Sequence, residues 1–519
     1  MEEKNVGVSA DDQLQRGIHP WMANLIAIGG IIGSSYFLGS GIIVADLGVS
    51  AAFAFIMGGI IVYAVMQSFA ELLVNIPRRG SFISYSTEFI SPVWAVGTGW
   101  TYWFNWVAYI PSEALAAGLI MTTLFHGVPV IGTVSVPVWA FIFIIIISFI
   151  NLSHVESFGY IESILSILKV AAILIFAVVA YCLVFGVIGD GIGTSILFPS
   201  GHANLKELFP AGGYPLLGML ALILVNYQGS EIVGLAASET QNPEVTVPKA
   251  CRQVANRILI VFVIPIIGLV LIMPRNDSGL DGSVFAAALN KYADLYHLPW
   301  LGLVAALFAV IILSAAFSCA NSGMFGAVRG MYSLAVEGMA PKFLGKLNKK
   351  GVPKNATILT LACCWVTLIG NVFFGATTFY TVLLSIAGFT GTVCWISICI
   401  AQINFRRKIV KRGYSVKDLK APAPLTPVFP LAIGAILPTV GLLLMLGDIR
   451  VLFATGSISK YLASADSSMQ MAFIASVICM AVPMVIYKIA SMTGKAKLRT
   501  ALHADEVSFD VLFPDKAAK

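Results

Sequence analysis

The chain has 519 residues, is 58% hydrophobic and only 11% charged, and carries a net charge of +6 with a mean hydropathy of +0.88. A soluble domain would need roughly 25% charged residues to cover its surface, so lipid must cover most of this one. That excludes a soluble enzyme, and the surplus of positive charge calls for no nucleic-acid partner once topology accounts for it.

Residues 1–20 read as a tail. The first sixteen are polar with more acid than base, and the apolar segment that follows is too long for the core of a secretory signal, so it is a retained first span. A bilayer core of about 30 Å takes about 20 apolar residues in a helix. Spans follow at 21–45, 47–70, 89–112, 134–151, 160–187, 213–237, 257–273 and 301–328. Residues 355–405 carry no charge and must be two helices hinged near Gly370–Gly375, and 427–447 and 468–487 close the series. The fold class is therefore an all-α membrane protein of about twelve spans, because lipid forces every backbone polar group into a helix. The order divides into a first half, 21–187, and a second, 213–403, each with five spans. Two further helices occupy 427–490, and 491–519 is a C-terminal tail. Halves with an odd number of spans insert with opposite orientation.

Basic residues set the orientation. With both termini cytoplasmic, inner loops and tails hold all but six of the 32 Lys and Arg. Lys206, Arg275, Lys291, Arg450 and Lys460 lie outside, and Lys169 is left in the membrane. That bias supports a multi-pass protein of the cytoplasmic membrane with its basic face inward.

Seven of the eight cysteines, all but Cys251, fall in apolar runs and read as reduced thiols acting as small apolar side chains. The six histidines lie in tails, loops or helix ends, and no pair has metal spacing. Neither a metal, a cofactor nor an intramembrane catalytic cluster is expected. The short tails show no signalling domain, which argues against a pure sensor.

Charges in hydrocarbon are costly and usually functional. Three lie deep: Glu113 in the third span, Lys169 in the fifth and Glu231 in the sixth. Glu71 and Arg329 lie near span ends, where snorkelling explains them, and Glu162 is expected at the interface. The second signal is glycine. The first span reads G-G-I-I-G-S-S-Y-F-L-G-S-G from Gly29 to Gly41, and the sixth reads V-N-Y-Q-G-S-E-I-V-G from Val225 to Gly234. Such stretches often serve only close helix packing. Two of them at matching places in the two halves, each near an intramembrane charge, point instead to a substrate site made of broken helices. Freed N–H groups at a half-helix start suit a carboxylate, and freed carbonyls suit an ammonium, so the pair matches an α-amino acid.

Longer motifs are recognisable. A-E-L-L-V-N-I-P-R-R-G-S-F-I-S-Y at 70–85 is followed by G-W-T-Y-W-F-N-W at 99–106 and G-S-E-I-V-G-L-A-A-S-E-T-Q-N-P at 229–243. Then come V-P-K-A at 247–250, N-S-G-M-F-G-A-V-R-G-M-Y-S-L-A at 321–335, G-M-A-P-K-F at 338–343 and N-K-K-G-V-P at 348–353. From about residue 15 to 490 the chain closely resembles the bacterial amino acid permeases of the amino acid–polyamine–organocation superfamily. The resemblance implies a leucine-transporter-like fold of five-plus-five inverted repeats with two added helices, alternating access, and proton-coupled uptake or exchange of amino acids. It implies that Gly33, Ser34 and Ser35 hold the carboxylate, that carbonyls near Ile31 and Val225–Tyr227 meet the amine, and that Tyr227 is an aromatic gate. Tyr109, Ile110 and Glu113 would line the pocket, Glu231 with Glu113 would serve proton coupling, and Lys169 would stand where relatives hold a sodium ion. Ser35, Tyr36, Asn226 and Gln228 depart from the family pattern. They leave open a second reading, an exchanger of amines, polyamines or modified amino acids. The oligomeric state is not legible.

Overall fold

The computed structural model describes residues 21, 25, 31–125, 127–151, 155–235, 243–348, 351–464, 467–494, 496, 498 and 506–516. Gly29, Gly30 and the 236–242 part of one motif lie outside these residues. Every regular element among those described is helical.

Seven helical runs are long and apolar enough to cross a membrane: Ser35–Asn75, Pro92–Leu124, Glu162–Val184, Pro299–Val336, Lys354–Phe374, Ala376–Lys411 and Met469–Met492. A bent pair, Pro430–Leu444 with Ile449–Thr455, makes an eighth if counted as one span. Val136–Asn151 and Ile258–Ile272 are shorter apolar helices. Within the first run Gly48 takes φ +59°. A right-handed helix cannot continue through that conformation, which glycine adopts without steric cost, so the run is two helices, Ser35–Leu47 and Ala51–Asn75. Gly375, at φ +76°, does the same between Lys354–Phe374 and Ala376–Lys411.

Exposed side chains show what the surface faces. On Met469–Met492 the outward residues are Met471, Ile474, Val477, Ile478, Val482, Val485, Ile486 and Ile489, one stripe at helical spacing. On Val155–Val184 they are Ile164, Ile167, Leu168, Leu174, Ile175 and Val178. Apolar bands this continuous are not tolerated in water, so the chain is a multi-pass membrane protein with these faces in lipid. The interior runs the other way: Pro92–Leu124 is the hub, packed along Pro299–Val336 and Ala376–Lys411, and small and aromatic side chains alternate there. Gly323 lies directly under the Trp106 ring, where a Cβ would not fit.

Three sequence expectations are corrected. Glu71 does not snorkel: it is wholly buried, gripped by Arg406 Nε at 2.8 Å and Nη2 at 2.5 Å, Gln402 Nε2 at 2.8 Å and the Ala423 amide at 2.5 Å. Arg329 is buried over the Phe325 ring, 3.8 Å from its centroid. Glu162 is not interfacial either, with no exposed surface. Hydropathy windows place charges along a span but say nothing about which side of the helix faces protein, and in each case that side decided the outcome.

Candidate functional site

Two helices are interrupted inside the bundle. In the first, Ile31–Gly33 are non-helical and the helix resumes at Ser34. This leaves the Ile32 carbonyl and the Ser34 amide without intrahelical partners, and two charged side chains from other helices take them. The Ser34 N–H donates to Glu113 of Pro92–Leu124, at 3.1 Å to Oε1 and 2.9 Å to Oε2. Lys169 of Val155–Val184 donates to the Ile32 carbonyl at 3.0 Å and to Ser318 Oγ at 2.7 Å. The break is thus held by an acid at its donor end and a base at its acceptor end. Sequence spacing fixes the acid's approach: a Cβ on Gly33 would stand 2.8 Å from Cys319 Sγ and closer still to Glu113 Oε1.

Around this pair lie Tyr109, whose hydroxyl is 2.7 Å from Ser35 Oγ, and Tyr380, whose hydroxyl is 3.4 Å from Ser34 Oγ. Ile31, Ser34, Ser35, Tyr109, Ile110, Glu113 and Lys169 are all fully or almost fully buried.

The second interruption falls between Leu220–Val225 and Ile232–Leu235, where residues 226–231 form turns. Here too an acid receives the freed amide: the Gly229 N–H reaches Glu231 at 3.2 and 3.3 Å, and Trp395 Nε1 donates to Glu231 Oε2 at 3.0 Å. Gln228 Nε2 donates to the Ala387 carbonyl at 2.9 Å, and Asn226 Nδ2 to the Leu222 carbonyl at 3.0 Å. Their amide oxygens, Asn226 Oδ1 and Gln228 Oε1, are buried acceptors with no hydrogen-bond donor among the described residues.

The structure brings Gly33, Ser34, Ser35, Tyr109, Glu113 and Lys169 together. It does not bring Tyr227 or Tyr36 to them. The Tyr227 hydroxyl is bonded to the Phe55 carbonyl at 2.7 Å and its ring packs on Phe262. The Tyr36 hydroxyl is bonded to the Val261 carbonyl at 3.0 Å, with its ring among Phe37, Phe262 and Phe285. Val225 packs near Gly388. Sequence reasoning missed Tyr380, Ser318, Cys319 and Trp395. Ser318 and Cys319 open the small polar run S-C-A-N-S-G in an otherwise apolar span, which was a usable signal. Tyr380 and Trp395 carried none.

Comparison with known proteins gives the family. The family model described as "Amino acid permease" matches residues 23–500. The amino-acid permease RocC of Bacillus subtilis (strain 168) is 37% identical over 81% of this chain and 87% of its own. The lysine-specific permease LysP of Lactococcus lactis subsp. cremoris (strain MG1363) is 31% identical over 85% of this chain and 86% of its own. The histidine permease HisP of the same strain is 31% identical over 81% of this chain and 86% of its own.

Proposed function

This chain belongs to the amino acid permease family, and we propose that it is a secondary transporter which carries amino acids across the cytoplasmic membrane by alternating access, coupled to protons. Permeases move solutes and are not enzymes, so the chemistry to explain is binding and proton exchange. The proposal includes twelve spans in a leucine-transporter-like arrangement of two inverted repeats, 21–187 and 213–403, with helices 11 and 12 at 427–490. The tails, 1–20 and 491–519, are cytoplasmic on the strength of the basic face.

One observation carries the reading: the Ser34 amide that suits a substrate carboxylate is occupied by the protein's own carboxylate, Glu113. Two carboxylates cannot share one N–H in an apolar site, because their repulsion is barely screened there. An incoming amino acid takes the amide once Glu113 is protonated and withdraws, and the protonated acid then donates to the newcomer instead of repelling it. Proton and substrate carboxylate therefore bind together. The ammonium of the substrate finds acceptors in the backbone carbonyls beside Ile31 and Val225–Tyr227, and in Asn226 Oδ1 and Gln228 Oε1, which are buried and have no donor among the described residues. Glu231, bound to Gly229 and Trp395, is the second proton-coupling group. Lys169 is the fixed cation that holds the first break open at its carbonyl end.

The unusual polarity of Asn226 and Gln228 favours one alternative, exchange of amines, polyamines or modified amino acids. The two readings separate in proteoliposomes holding the purified protein. Labelled lysine, histidine and other amino acids are offered with and without an inward proton gradient. Gradient-driven accumulation that decarboxylated analogues do not inhibit supports the amino acid permease. Uptake only into preloaded vesicles, with equal inhibition by decarboxylated analogues, overturns it in favour of the amine exchanger.

A further inference from the structure

Glu162 belongs to neither break, yet no part of it reaches the surface. It lies seven residues before Lys169 on the Val155–Val184 helix, and its Oε1 is 4.0 Å from Lys169 Nζ. Ser318 bridges the two. Lys169 donates to Ser318 Oγ at 2.7 Å, and the Ser318 hydroxyl donates to Glu162 Oε1. Asn321 and Ser322, one turn further along Pro299–Val336, lie beside the same carboxylate, with Glu162 Oε2, Asn321 Nδ2 and Ser322 Oγ making no hydrogen bond among the described residues. Asn321 Oδ1 in turn accepts from Asn151 Nδ2 at 2.8 Å, at the half-buried end of Val136–Asn151. A file of polar groups thus runs from the Ile32 carbonyl through Lys169, Ser318 and Glu162 to Asn321 and Asn151.

The charges in this file do not balance. Among the described residues, Lys169 is the cation that pairs with Glu162, at 4.0 Å, and that acts at longer range on Glu113, so the fully ionised trio has two negative charges against one positive. An apolar interior does not tolerate such an excess when a proton can cancel it. Among the described residues, the charged group facing Glu162 is Lys169 on its own helix, with Ser318, Asn321 and Ser322 from Pro299–Val336. Glu113 acts on it through Lys169.

We propose that Glu162 is a second proton-binding group of the transporter: paired with Lys169 and bridged to it by Ser318, it takes the proton that arrives with substrate at Glu113, once that acid has withdrawn from the Ser34 amide toward Lys169, and releases it toward the basic face. The step balances as one O–H bond broken on Glu113 and one formed on Glu162. Ser318 passes its proton to Glu162 and takes one from Lys169, which is restored from Glu113. The inference rests on the proton-coupled reading above, and it sets the coupling at one proton per cycle for this site.

The test uses full-length wild type, Glu162→Gln and Glu162→Asp in proteoliposomes, with labelled lysine and histidine as probes. Wild type must first accumulate a probe under an imposed proton gradient; a wild type indifferent to the gradient overturns the proton-coupled reading itself and this inference with it. Given that response, Glu162→Gln is expected to retain exchange at equal pH within threefold while losing at least tenfold of gradient-driven accumulation. Its exchange rate should keep the pH dependence that Glu113 imposes, and Glu162→Asp should restore the accumulation. Gradient-driven accumulation by Glu162→Gln at the wild-type level overturns the role of Glu162. So does a parallel loss of exchange and accumulation in both variants, which is the mark of a merely structural residue. Infrared pH titration reads the same group without substrate: one protonated-carboxyl band should vanish in Glu162→Gln, and an unchanged set of bands counts against the proposal.

Discussion

The backbone amide of Ser34 and the carboxylate of Glu113 meet across 79 residues of sequence, at 2.9 and 3.1 Å to the two carboxylate oxygens. A side chain from the third span thereby caps the helix that resumes after the first break. The contact fixes the depth at which the break sits. It also makes this state one in which the protein is its own ligand.

Gly33 is the residue that permits this approach. A methyl there would press on the Glu113 carboxylate and the Cys319 sulfur, and overpacking of this kind costs about 1–3 kcal/mol. Gly33→Ala should lower the melting temperature in detergent and cut uptake at least tenfold. Adding Glu113→Ala should return most of the stability and none of the gradient dependence. If Gly33→Ala melted like wild type and transported normally, the carboxylate would not need to reach the Ser34 amide.

Lys169 holds three partners at once, the Ile32 carbonyl, Ser318 and Glu162. Lys169→Ala strands a buried carboxylate, and breaking a buried pair from one side costs about 3–5 kcal/mol. The expected result is broad loss of transport with the ratio of lysine to histidine uptake unchanged. Lys169→Met combined with Glu162→Gln should melt well above Lys169→Ala, since Glu162 is no longer left as a buried carboxylate without its partner. A change in substrate ranking in the single variant would assign Lys169 to recognition instead.

Much of this was legible from residue type and spacing. Gly-rich interruptions announced both breaks, and Glu113, Lys169 and Glu231 stood out because charges are rare in apolar spans. Nor was the split near Gly375 hidden, since 51 uncharged residues cannot be one helix in a bilayer about 30 Å thick. The partners were another matter. Whether Glu162 meets lipid headgroups or Lys169 depends on the rotation of its helix, and seven residues is close to two full turns, so the two share a face. Tyr227, for which the resemblance implies an aromatic gate, has its hydroxyl bonded to the Phe55 carbonyl of a neighbouring helix, a partner that no sequence pattern announces. Local pattern locates a residue along the chain, while long-range packing chooses its hydrogen-bond partner.

Glu71 and Arg406 join Ala51–Asn75 to the basic end of Ala376–Lys411. Every acceptor site of the carboxylate that faces protein is used, by Arg406, Gln402 and the Ala423 amide. Arg406→Ala should destabilise the protein by about 3–5 kcal/mol, and Arg406→Lys should recover only part, because an ammonium cannot match the two-point grip. Thermal melting of both, with Glu71→Gln and the double variant, gives the coupling energy directly. Additive effects would mean the pair contributes nothing as a pair.

Glu337, just past the Pro299–Val336 helix, provides a test in pH. Burial pushes its carboxyl up to about 7 from an ordinary 4.5, against hydrogen bonds from Ser84 and Thr87, with Glu506 and Glu88 adding to the rise. Below about pH 4.5 the group is protonated whether the protein is folded or not, and it contributes no pH dependence. Between there and pH 7 the folded state binds more protons than the unfolded one, so stability falls as pH rises, and above 7 the full penalty is present. Glu337→Gln cannot ionise and escapes that penalty. Its melting temperature relative to wild type should rise from pH 5 to pH 8 and then level off, the change corresponding to on the order of 1–2 kcal/mol once partial exposure is allowed for. A difference that stays flat across that range would place the Glu337 carboxyl in ordinary contact with water.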